Sequence, residues 1–367
     1  MYQRLHWFFK LISLLAIVLT LWLLINYVLP KLLPVSYKSN VQISGLLVRN
    51  QVWEGDIKIT GDVMTLLGTK ITIKPGTKIT VSINNDSSNM DYLPWHLRSG
   101  VNTEKPYHGI NTGEPFWDEA EKIQIHLSSL DAVGTKQQPI IFKSDSANGS
   151  PYDFNTIEVK KGVIAFADLS NYRRLEIGSD VTIRNSRFFN IGECGVCIYT
   201  GSPSVINNTF ENILRESIYI LKASPRITDN LFINLTGAAI RIDSRRFASP
   251  IISYNTFETP QQLTIDVLSG GEVSSGVISF NYFAGNTQLN LACDSKIRIS
   301  QNIILGQIRF QSPGCGGSYV FGPNHWGSSN LNGVYKSSLT NIDSNFKVVI
   351  PTILKQVPER AGRRTND

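Results

Sequence analysis

Methionine, cysteine and charged residues are scarce in this sequence. Of 367 residues, 3 are Met, 4 are Cys and 17% are charged, whereas about 25% charged residues is usual for a globular domain. There is no G-x-S-x-G nucleophile motif, no phosphate-binding loop and no dinucleotide-binding fingerprint. The 5 histidines make no metal-ligand spacing with Cys, Asp or Glu. These absences give no support to serine-hydrolase, nucleotide-dependent or zinc-dependent chemistry, and no metal or other cofactor is predicted.

Positive charge is not concentrated either. The formal net charge is +6, but the basic residues are spread along the chain, apart from a small cluster at the C-terminus. No basic stripe is interleaved with aromatic residues, as a nucleic-acid face would require. A solvated surface accounts for this charge, so nucleic acid is not an expected partner.

One long apolar run lies near the N-terminus. No charged residue occurs from Leu11 to Leu29, and a helix of that length is roughly 28 Å long, close to the hydrocarbon thickness of a bilayer. Pro30 then ends the helix. A cleaved signal peptide is the rival interpretation, but its apolar core is usually shorter and an Ala-x-Ala pattern should follow, which is absent here. We therefore expect a retained transmembrane helix over 11–30.

The charges on either side of this run set the expected topology. Basic residues are slightly in excess before it, which favours a cytoplasmic N-terminus and an extracytoplasmic C-terminal domain. The sequence thus predicts a single-pass protein of the plasma membrane. The expected segments are a cytoplasmic N-terminus at 1–10, the transmembrane helix at 11–30, a linker at 31–45, a repeat domain at 46–350 and a flexible basic tail at 351–367.

A repeat of roughly 22 residues occupies much of the chain. Residues 203–213 align without a gap to residues 225–235, and the same frame recurs four more times downstream. Three columns of residues recur with it. The turn column is Asn208, Asn230, Asn255, Asn281, Asn302 and Asn324; the strand column is Val205, Ile227, Ile252, Ile278, Ile299 and Phe321; the third is Phe210, Phe232, Phe257, Phe283, Ile304 and Trp326.

Each column has a physical cause in a parallel β-coil. A sharp corner needs one residue in the left-handed region, which Asn tolerates better than other non-glycine residues, so we expect the asparagines to adopt it. Coils stacked about 4.8 Å apart would let the asparagine amides hydrogen-bond in a ladder. The apolar columns would stack like on like and fill the cylinder, so each repeat would depend on its neighbours for stability.

A second strand of each repeat alternates apolar and polar residues, which is the period of a β-strand. Its apolar positions run from Val196 and Ile198 to Leu289 and Leu291. The intervening residues are therefore predicted to line one outward face. They are Cys197, Tyr219, Arg241, Asp266, Asn290 and Arg309, with Tyr199, Leu221 and Asp243 beside them.

Three further segments support a family resemblance. Residues 68–81 are similar to the G-x-x-L-x-I-x-P-G-T-x-I-x-F opening of many bacterial β-helix proteins, and residues 132–142 to their A-x-G-T-x-x-x-P-I-x-F coil. Residues 324–327, Asn-His-Trp-Gly, resemble a closing N-x-W-G motif. The chain thus resembles the right-handed parallel β-helix superfamily, shared by pectate lyases and many surface proteins. The predicted fold class is all-β, a right-handed parallel β-helix solenoid preceded by one transmembrane α-helix; the resemblance leaves the function open.

An aromatic insertion interrupts the repeat at 84–120. Long structured loops of solenoids often bind ligands, so four aromatic residues of this segment are candidate ligand-binding residues, together with Tyr219. The alternative is that they cover the open apolar end of the cylinder. The four are Tyr92, Trp95, Tyr107 and Trp117.

A charged group on the outward face is the only catalytic candidate. Arg241, Asp243 and Asp266 are predicted to lie together near Tyr219. The resemblance to pectate lyases implies an arginine base and carboxylates that hold Ca²⁺ on such a face. Calcium takes about 6–8 oxygen ligands, however, and opposite charges on neighbouring strands are also an ordinary surface pairing. Both interpretations stay open, and Ca²⁺ is expected only under the first.

The cysteines allow two pairings. Cys293 and Cys315 precede their ladder asparagines by the same interval, so they can stack on adjacent coils within reach of a disulfide. Neighbouring free thiols are the alternative. A bond between Cys194 and Cys197 is less favoured, because the short loop must bend tightly.

Two functions remain in view. The first is a membrane-anchored display or binding module for a polysaccharide or cell-envelope glycan, without catalysis. The second is a polysaccharide lyase, epimerase or hydrolase that acts on an acidic polysaccharide near Arg241. A purely structural role is a third possibility, and no protein partner is predicted.

Overall fold

The computed structural model describes most of the chain. The described residues are 2–25, 34–83, 87, 122–243, 247–258, 263–268, 275–311, 317–340, 342 and 346–364. The aromatic insertion predicted at 84–120 lies outside them except for Ser87, so Tyr92, Trp95, Tyr107 and Trp117 remain predictions.

The helices are α1 (Tyr2–Leu23) and α2 (Leu331–Ser337). The first strands are β1 (Val35–Lys38), β2 (Val41–Leu47), β3 (Gln51–Glu54), β4 (Asp56–Thr65), β5 (Lys70–Ile73), β6 (Lys78–Val81), β7 (Ile125–Leu127), β8 (Ser129–Val133), β9 (Ile140–Ser144), β10 (Phe154–Ala165) and β11 (Ala167–Ser170). They are followed by β12 (Tyr172–Arg184), β13 (Arg187–Ile191), β14 (Cys194–Ile198), β15 (Ser204–Ile206), β16 (Thr209–Ile213), β17 (Glu216–Leu221), β18 (Arg226–Thr228), β19 (Leu231–Ile233), β20 (Ala238–Asp243), β21 (Ile251–Ser253) and β22 (Thr256–Glu258). The last are β23 (Leu263–Leu268), β24 (Ser275–Ser279), β25 (Tyr282–Phe283), β26 (Gln288–Ala292), β27 (Lys296–Ser300), β28 (Ile303–Ile304), β29 (Gln307–Gln311), β30 (Gly317–Val320), β31 (Leu339–Thr340) and β32 (Phe346–Val349).

The strands wind into a parallel solenoid of about 10 turns, as predicted. Successive strands of a turn join three sheets in a fixed order. Sheet 1 contains β7, β14, β17, β20, β23, β26, β29 and β31; sheet 2 contains β1, β3, β5, β8, β15, β18, β21, β24 and β27; sheet 3 contains β6, β9, β11, β13, β16, β19, β22, β25 and β28. The long strands turn corners, β2 and β4 from sheet 3 into sheet 1, and β10 and β12 from sheet 1 into sheet 2.

Like side chains stack inside the cylinder. The rings of Phe210 and Phe232 are 5.1 Å apart between centroids and tilted by 8°, and Phe232 stacks in the same way on Phe257 at 4.9 Å. Phe188 and Phe283 extend this stack at its two ends. Each ring is fully buried, and burial of such side chains supplies a large part of the driving force for folding.

The six asparagines of the turn column lie in one buried row. In each step, the side-chain oxygen of one asparagine accepts bonds from the backbone N–H and the amide of the asparagine one coil earlier, at 2.9 Å and 3.0 Å between Asn230 and Asn208. The same amide also donates to a strand carbonyl, as Asn230 does to Val205 at 2.9 Å. Hydrogen bonding of this completeness is what a buried polar row requires.

The left-handed residue of each corner is not the ladder asparagine. Positive φ angles occur one position earlier, at 55° for Asn207, 61° for Asp229, 59° for Tyr254 and 57° for Phe280. The expectation that the asparagines adopt this conformation is therefore wrong. The preceding residue turns the chain, and the asparagine is then directed inward, where its amide reaches the neighbouring coils.

The solenoid begins earlier than predicted. Residues 31–45 were expected to form a linker, but β1 and β2 already pair in parallel with β3 and β4. Alternating apolar side chains such as Val41 and Ile43 pack into the interior of the solenoid, so this first coil belongs to it. The linker prediction is therefore wrong from Val35 onward.

Helix α1 starts at Tyr2 and so includes residues 2–10 of the predicted cytoplasmic segment 1–10. Among the described residues, no helix has both the length and the hydropathy needed to cross a bilayer. Residues 26–30 of the predicted span over 11–30 lie outside the described part, and the span stays a prediction. The exposed large apolar side chains of α1 include Ile12, Leu14, Leu15, Ile17, Val18, Leu19, Leu21, Trp22 and Leu23.

The C-terminal segment does not run free. Ile353 forms a parallel bridge with Asn324, and the backbone N–H of Leu354 donates to the carbonyl of Asn324 at 2.9 Å. Arg363 and Arg364 then contact the outer corner of earlier coils. The expectation of a flexible tail over 351–367 is therefore wrong as far as Arg364.

Candidate functional site

A row of polar side chains follows the outer face of sheet 1. Each member is the middle one of three consecutive strand residues. Because side chains alternate along a strand, its two apolar neighbours point inward and it points outward. The strand registers place the outward residues directly beside one another in successive coils. The row is His126, Glu158, Glu176, Cys197, Tyr219, Arg241, Asp266, Asn290 and Arg309.

Arg241 lies between two carboxylates. Its Nη1 contacts Glu216 Oε1, and its Nε donates to Asp266 Oδ2 at 3.1 Å. The other oxygen of Asp266 accepts bonds from the amides of Asn290 at 2.8 Å and Gln311 at 2.7 Å. Both carboxylates are almost buried, with 7% and 3% of the side chain exposed.

Burial raises the pKa of Glu216, and the neighbouring Arg241 guanidinium opposes this shift without cancelling it. The two effects have different origins, since removal from water penalises the carboxylate while the cation stabilises it. The net result places a carboxyl group that binds its proton more tightly than usual next to a permanently charged arginine.

Asp243 is on the same outward side of β20 but has a different partner. Tyr219 donates its hydroxyl to Asp243 Oδ2 at 2.7 Å, and Asp243 is fully buried. Arg241, Asp243 and Asp266 therefore lie on one face but in two hydrogen-bonded groups, Arg241 with Asp266 in one and Asp243 with Tyr219 in the other. This geometry does not favour Arg241 as a base, because a guanidinium paired with two carboxylates is poorly suited to accept a proton.

A second charged cluster lies three coils earlier. Glu158 is directly opposite Glu176 in the register of β10 and β12. The Nδ1 atom of His126 is 2.7 Å from Glu158 Oε2, and its Nε2 is 3.3 Å from Gln124 Oε1. Glu158 is fully buried, and in the described part of the chain its Oε1 has no hydrogen-bond partner. A buried carboxylate oxygen without a partner is costly, so it marks a site of interest.

Two arginines complete this cluster. Arg174 Nε is 2.9 Å from Glu176 Oε1, and Arg173 Nε donates to Glu193 at 2.6 Å. Burial raises the pKa of Glu176, opposed by Arg174 and reinforced by the charge of Glu158. Burial acts in the same direction on Glu193, but there the guanidinium groups of Arg174 and Arg173 outweigh it and lower the pKa. The pKa values of Glu176 and Glu193 are thus shifted in opposite directions within one cluster.

Two tyrosines connect the clusters. The rings of Tyr199 and Tyr219 meet edge to face, with centroids 6.0 Å apart. Burial, followed by the charge of Glu176, raises the pKa of the Tyr199 hydroxyl. Both side chains are half-buried on the outer side of sheet 1, where they offer ring surface as well as hydroxyl groups.

The cysteine expectations have mixed outcomes. Cys194 and Cys197 are joined by a disulfide with their Cα atoms 5.8 Å apart, so the expectation that this pair is disfavoured is wrong. Between these cysteines β14 has one residue more than β12, since Arg174 pairs with Cys194 and Glu176 with Cys197, and such a β-bulge shortens the span between the two cysteines. Cys293 is also in a disulfide, whereas its expected partner Cys315 lies outside the described residues, and that pairing stays a prediction.

Sequence reasoning missed the upstream cluster. The outward column was followed only as far as Cys197, although the same apolar-polar-apolar signal continues earlier in the chain. It is present at Ile125-His-Leu127, Ile157-Glu-Val159 and Leu175-Glu-Ile177. Glu193 and Glu216 lack this apolar-polar-apolar pattern. Glu193 directly precedes β14, and Glu216 is the first residue of β17.

No group of three or more His, Cys, Asp or Glu residues suited to hold a metal ion occurs in the described part of the chain. The aromatic insertion, which contains His96 and His108, lies outside that part.

Comparison with known proteins supports the β-helix fold. Residues 152–275 match the family model described as right handed beta helix region. Searches of the curated proteins and of the solved structures each found no match. The matched segment contains the carboxylates from Glu158 to Asp266, whereas His126, Asn290 and Gln311 lie outside it, and the parallel solenoid continues on both sides. The chain is a right-handed β-helix repeat protein.

Proposed function

We propose that this protein is a membrane-anchored, extracytoplasmic β-helix that binds a polysaccharide or cell-envelope glycan along the outer face of sheet 1. The observation that carries the proposal is the row of outward side chains from His126 to Arg309, which is polar at every position except the disulfide-bonded Cys197. A polymer with repeating hydroxyl or carboxylate groups suits such a row, because successive units can each meet an outward side chain one coil further along. Tyr199 and Tyr219 add ring surface to the polar contacts.

The anchoring part of the proposal rests on α1. Its side chains from Ile12 to Ile25 are exposed, and most of them are large and apolar. A contiguous apolar surface of this kind marks a membrane or protein contact. With the sequence run over 11–30 and the slight excess of basic residues before it, a plasma-membrane anchor with the β-helix outside is the favoured arrangement.

Binding can be tested on the full-length chain with a panel of neutral and acidic polysaccharides, by affinity electrophoresis. We expect retardation by at least one polymer, and at least tenfold weaker binding in Tyr199→Ala. The matched control is Phe189→Ala, an outward aromatic residue of sheet 3. Equal binding by both variants would remove sheet 1 as the binding face, and Trp95→Ala and Trp117→Ala would then test the aromatic insertion instead.

A second candidate function, hydrolysis of the bound polysaccharide, is favoured by the pair Glu158 and Glu176. A carboxyl group with a raised pKa is what glycoside hydrolysis needs as a general acid, and the charge of Glu158 reinforces that shift in Glu176. Glu176 would protonate the leaving oxygen of the glycosidic bond, while water adds to the sugar carbon and releases its proton to solvent; Glu158 is fully buried and would act only through its charge. The lyase alternative is less favoured, since the candidate base Arg241 is held by two carboxylates.

Hydrolysis can be separated from binding with Glu176→Gln and Glu158→Gln. We expect release of reducing ends from a bound polysaccharide by the wild type and a loss of about 10²–10⁴-fold in each variant. Affinity electrophoresis should show that binding is kept. If the wild type releases neither reducing ends nor unsaturated products, with or without Ca²⁺, the catalytic candidates fail and the binding proposal is unaffected.

A further inference from the structure

The C-terminal segment returns along the outside of the solenoid against the order of the coils. Its contacts begin at Asn324 and continue to the coil of Phe280, whose carbonyl accepts from the Gly362 backbone N–H at 2.8 Å. Gly362 has a φ of +97°, and a Cβ there would come within 3.3 Å of Tyr282. The segment thus approaches the corner between sheets 2 and 3 closely, which places the next two residues, both arginines, on that corner.

Arg364 is held by two kinds of contact at once. Its Nε and Nη2 atoms donate to the two oxygens of Asp229, each at 2.6 Å. Its guanidinium carbon lies 3.9 Å from the centroid of the Tyr254 ring. A bidentate guanidinium–carboxylate pair together with a cation–π contact is specific for arginine, because lysine cannot match the planar fork.

Arg363 fills the adjacent position. Its backbone N–H donates to Thr256 Oγ1 at 2.8 Å, and its Nε donates to Asn207 Oδ1 at 3.0 Å. A third donor, Nη1, is 3.2 Å from Thr209 Oγ1. Both arginines are therefore recognised by side chains from three successive coils.

The receptor side has the features of a built site. Tyr254 adopts a left-handed backbone conformation with a φ of 59°, which is uncommon for a bulky residue. The ring is stacked on Phe280, another left-handed aromatic residue, at 5.1 Å. Asn207 occupies the equivalent corner position in an earlier coil without this cost. An aromatic residue with a left-handed backbone, at a corner position that asparagine fills in an earlier coil, indicates a role for the ring, and the ring is the surface on which Arg364 lies.

Asp229 supplies the charge at the same corner. It is 6% exposed and, like its neighbours in the row, has a positive φ, here 61°. Beyond Arg364 the corner continues as a groove of about 470 Å³ lined by Arg184, Asn185, Ile206, Asn207 and Asp229. The recognition surface therefore extends past the residues that now occupy it.

We propose that Asn207, Asp229 and Tyr254 form a binding site for peptide segments with two consecutive arginines, and that the chain's own Arg363-Arg364 occupies it in cis. The occupant is exchangeable, because its contacts are polar and lie on the surface. Covalent attachment gives the internal segment a high effective concentration at the site, so it outcompetes a free peptide. A free peptide of the same chemistry therefore binds only once the internal segment is removed.

The test uses a chain that ends at Ile353 and a fluorescent peptide with the sequence of residues 354–367. We expect saturable binding that weakens at high salt, at least tenfold loss in Asp229→Asn, and at least tenfold loss when the peptide carries Lys at the position of Arg364. Glu258→Asn, a change at an exposed acid on neighbouring β22, is the matched control and should bind as the parent does. Absence of binding by a shortened chain with an unchanged circular dichroism spectrum would overturn the proposal.

A second measurement avoids the shortened chain. In the full-length protein, hydrogen exchange of the Gly362 and Arg363 amides should rise at least tenfold in Asp229→Asn and stay constant in Glu258→Asn. Equal exchange in the two variants would show that Asp229 does not hold the segment, and the site would be withdrawn. Neither measurement depends on the glycan proposal, so the two can fail separately.

Discussion

The side-chain oxygen of Asn230 accepts two hydrogen bonds from Asn208, one from its backbone N–H at 2.9 Å and one from its amide at 3.0 Å. The bond joins residues 22 positions apart and repeats coil after coil to Asn324. It fixes the vertical register of the solenoid at one corner. The outward face of sheet 1 inherits that register, which is why its polar side chains form a row.

Asn255→Ala tests the contribution of the ladder to stability. Asn255 donates to Ile227 and accepts from Asn230 within the buried row, so the change leaves buried polar groups unpaired. Each such group costs about 1–3 kcal/mol, and we expect a loss of about 2–4 kcal/mol in the free energy of unfolding by urea. Asn148→Ala, at an exposed position, should change it by less than about 0.5 kcal/mol. A similar small loss in both variants would contradict a structural ladder.

Phe232→Ala tests the interior stack. The ring is fully buried between Phe210 and Phe257, and its removal leaves a cavity in a closely packed cylinder. We expect a loss of about 3–5 kcal/mol, the usual cost for a buried phenylalanine. Val320, of which 58% is exposed, provides the control, and Val320→Ala should be nearly neutral. Thermal and urea unfolding both report the difference; a Phe232→Ala protein as stable as the control would argue against the stack.

Arg241→Ala distinguishes a structural from a catalytic arginine. The change leaves Glu216 and Asp266 as nearly buried carboxylates without their cation, and breaking a buried pair costs about 3–5 kcal/mol. Arg309→Ala removes an exposed arginine from the same row and should have little effect on unfolding. Lyase activity lost in Arg241→Ala with stability retained would instead support Arg241 as a base.

The pH dependence of stability should reveal Glu176. Its pKa is raised above the ordinary value of 4.5, mainly by burial, so the native state holds the proton more tightly than the unfolded chain. The stabilisation is complete below the unfolded pKa and is lost as pH rises through the folded pKa. Glu176→Gln should flatten this decline above pH 4.5, whereas Glu258→Gln should not. Parallel urea titrations across pH 4–8 make the comparison, and equal slopes would exclude Glu176 as the titrating group.

Much of the fold was predictable because the repeat shows directly which residues stack on one another in successive coils. A residue such as Phe232 recurs in register only if successive coils place it at the same height, so the column itself specifies the neighbours. The corner geometry was less accessible. Asn208 and Asn207 are adjacent and both asparagine, and the sequence does not say which of them turns the chain and which points inward.

The candidate site was predicted in part for the same reason. Arg241 and Asp266 belong to the alternating column, and their adjacency followed from it. The partners Glu216 and Gln311 did not, because one lies at the first residue of its strand and the other at the last residue of a later strand. The upstream pair Glu158 and Glu176 had a readable signal that the prediction did not follow far enough.

The sequence by itself determined that this chain is a stacked β-coil, since a period near 22 residues with fixed apolar and asparagine positions is satisfied only when each coil covers the next. Tertiary structure alone decided which charges neutralise one another and where the C-terminal arginines lie. Arg364 and Asp229 are 135 residues apart, and no local pattern links them. Their pairing depends on the path of a non-repeating segment over the finished surface, and that path is fixed by packing rather than by periodicity.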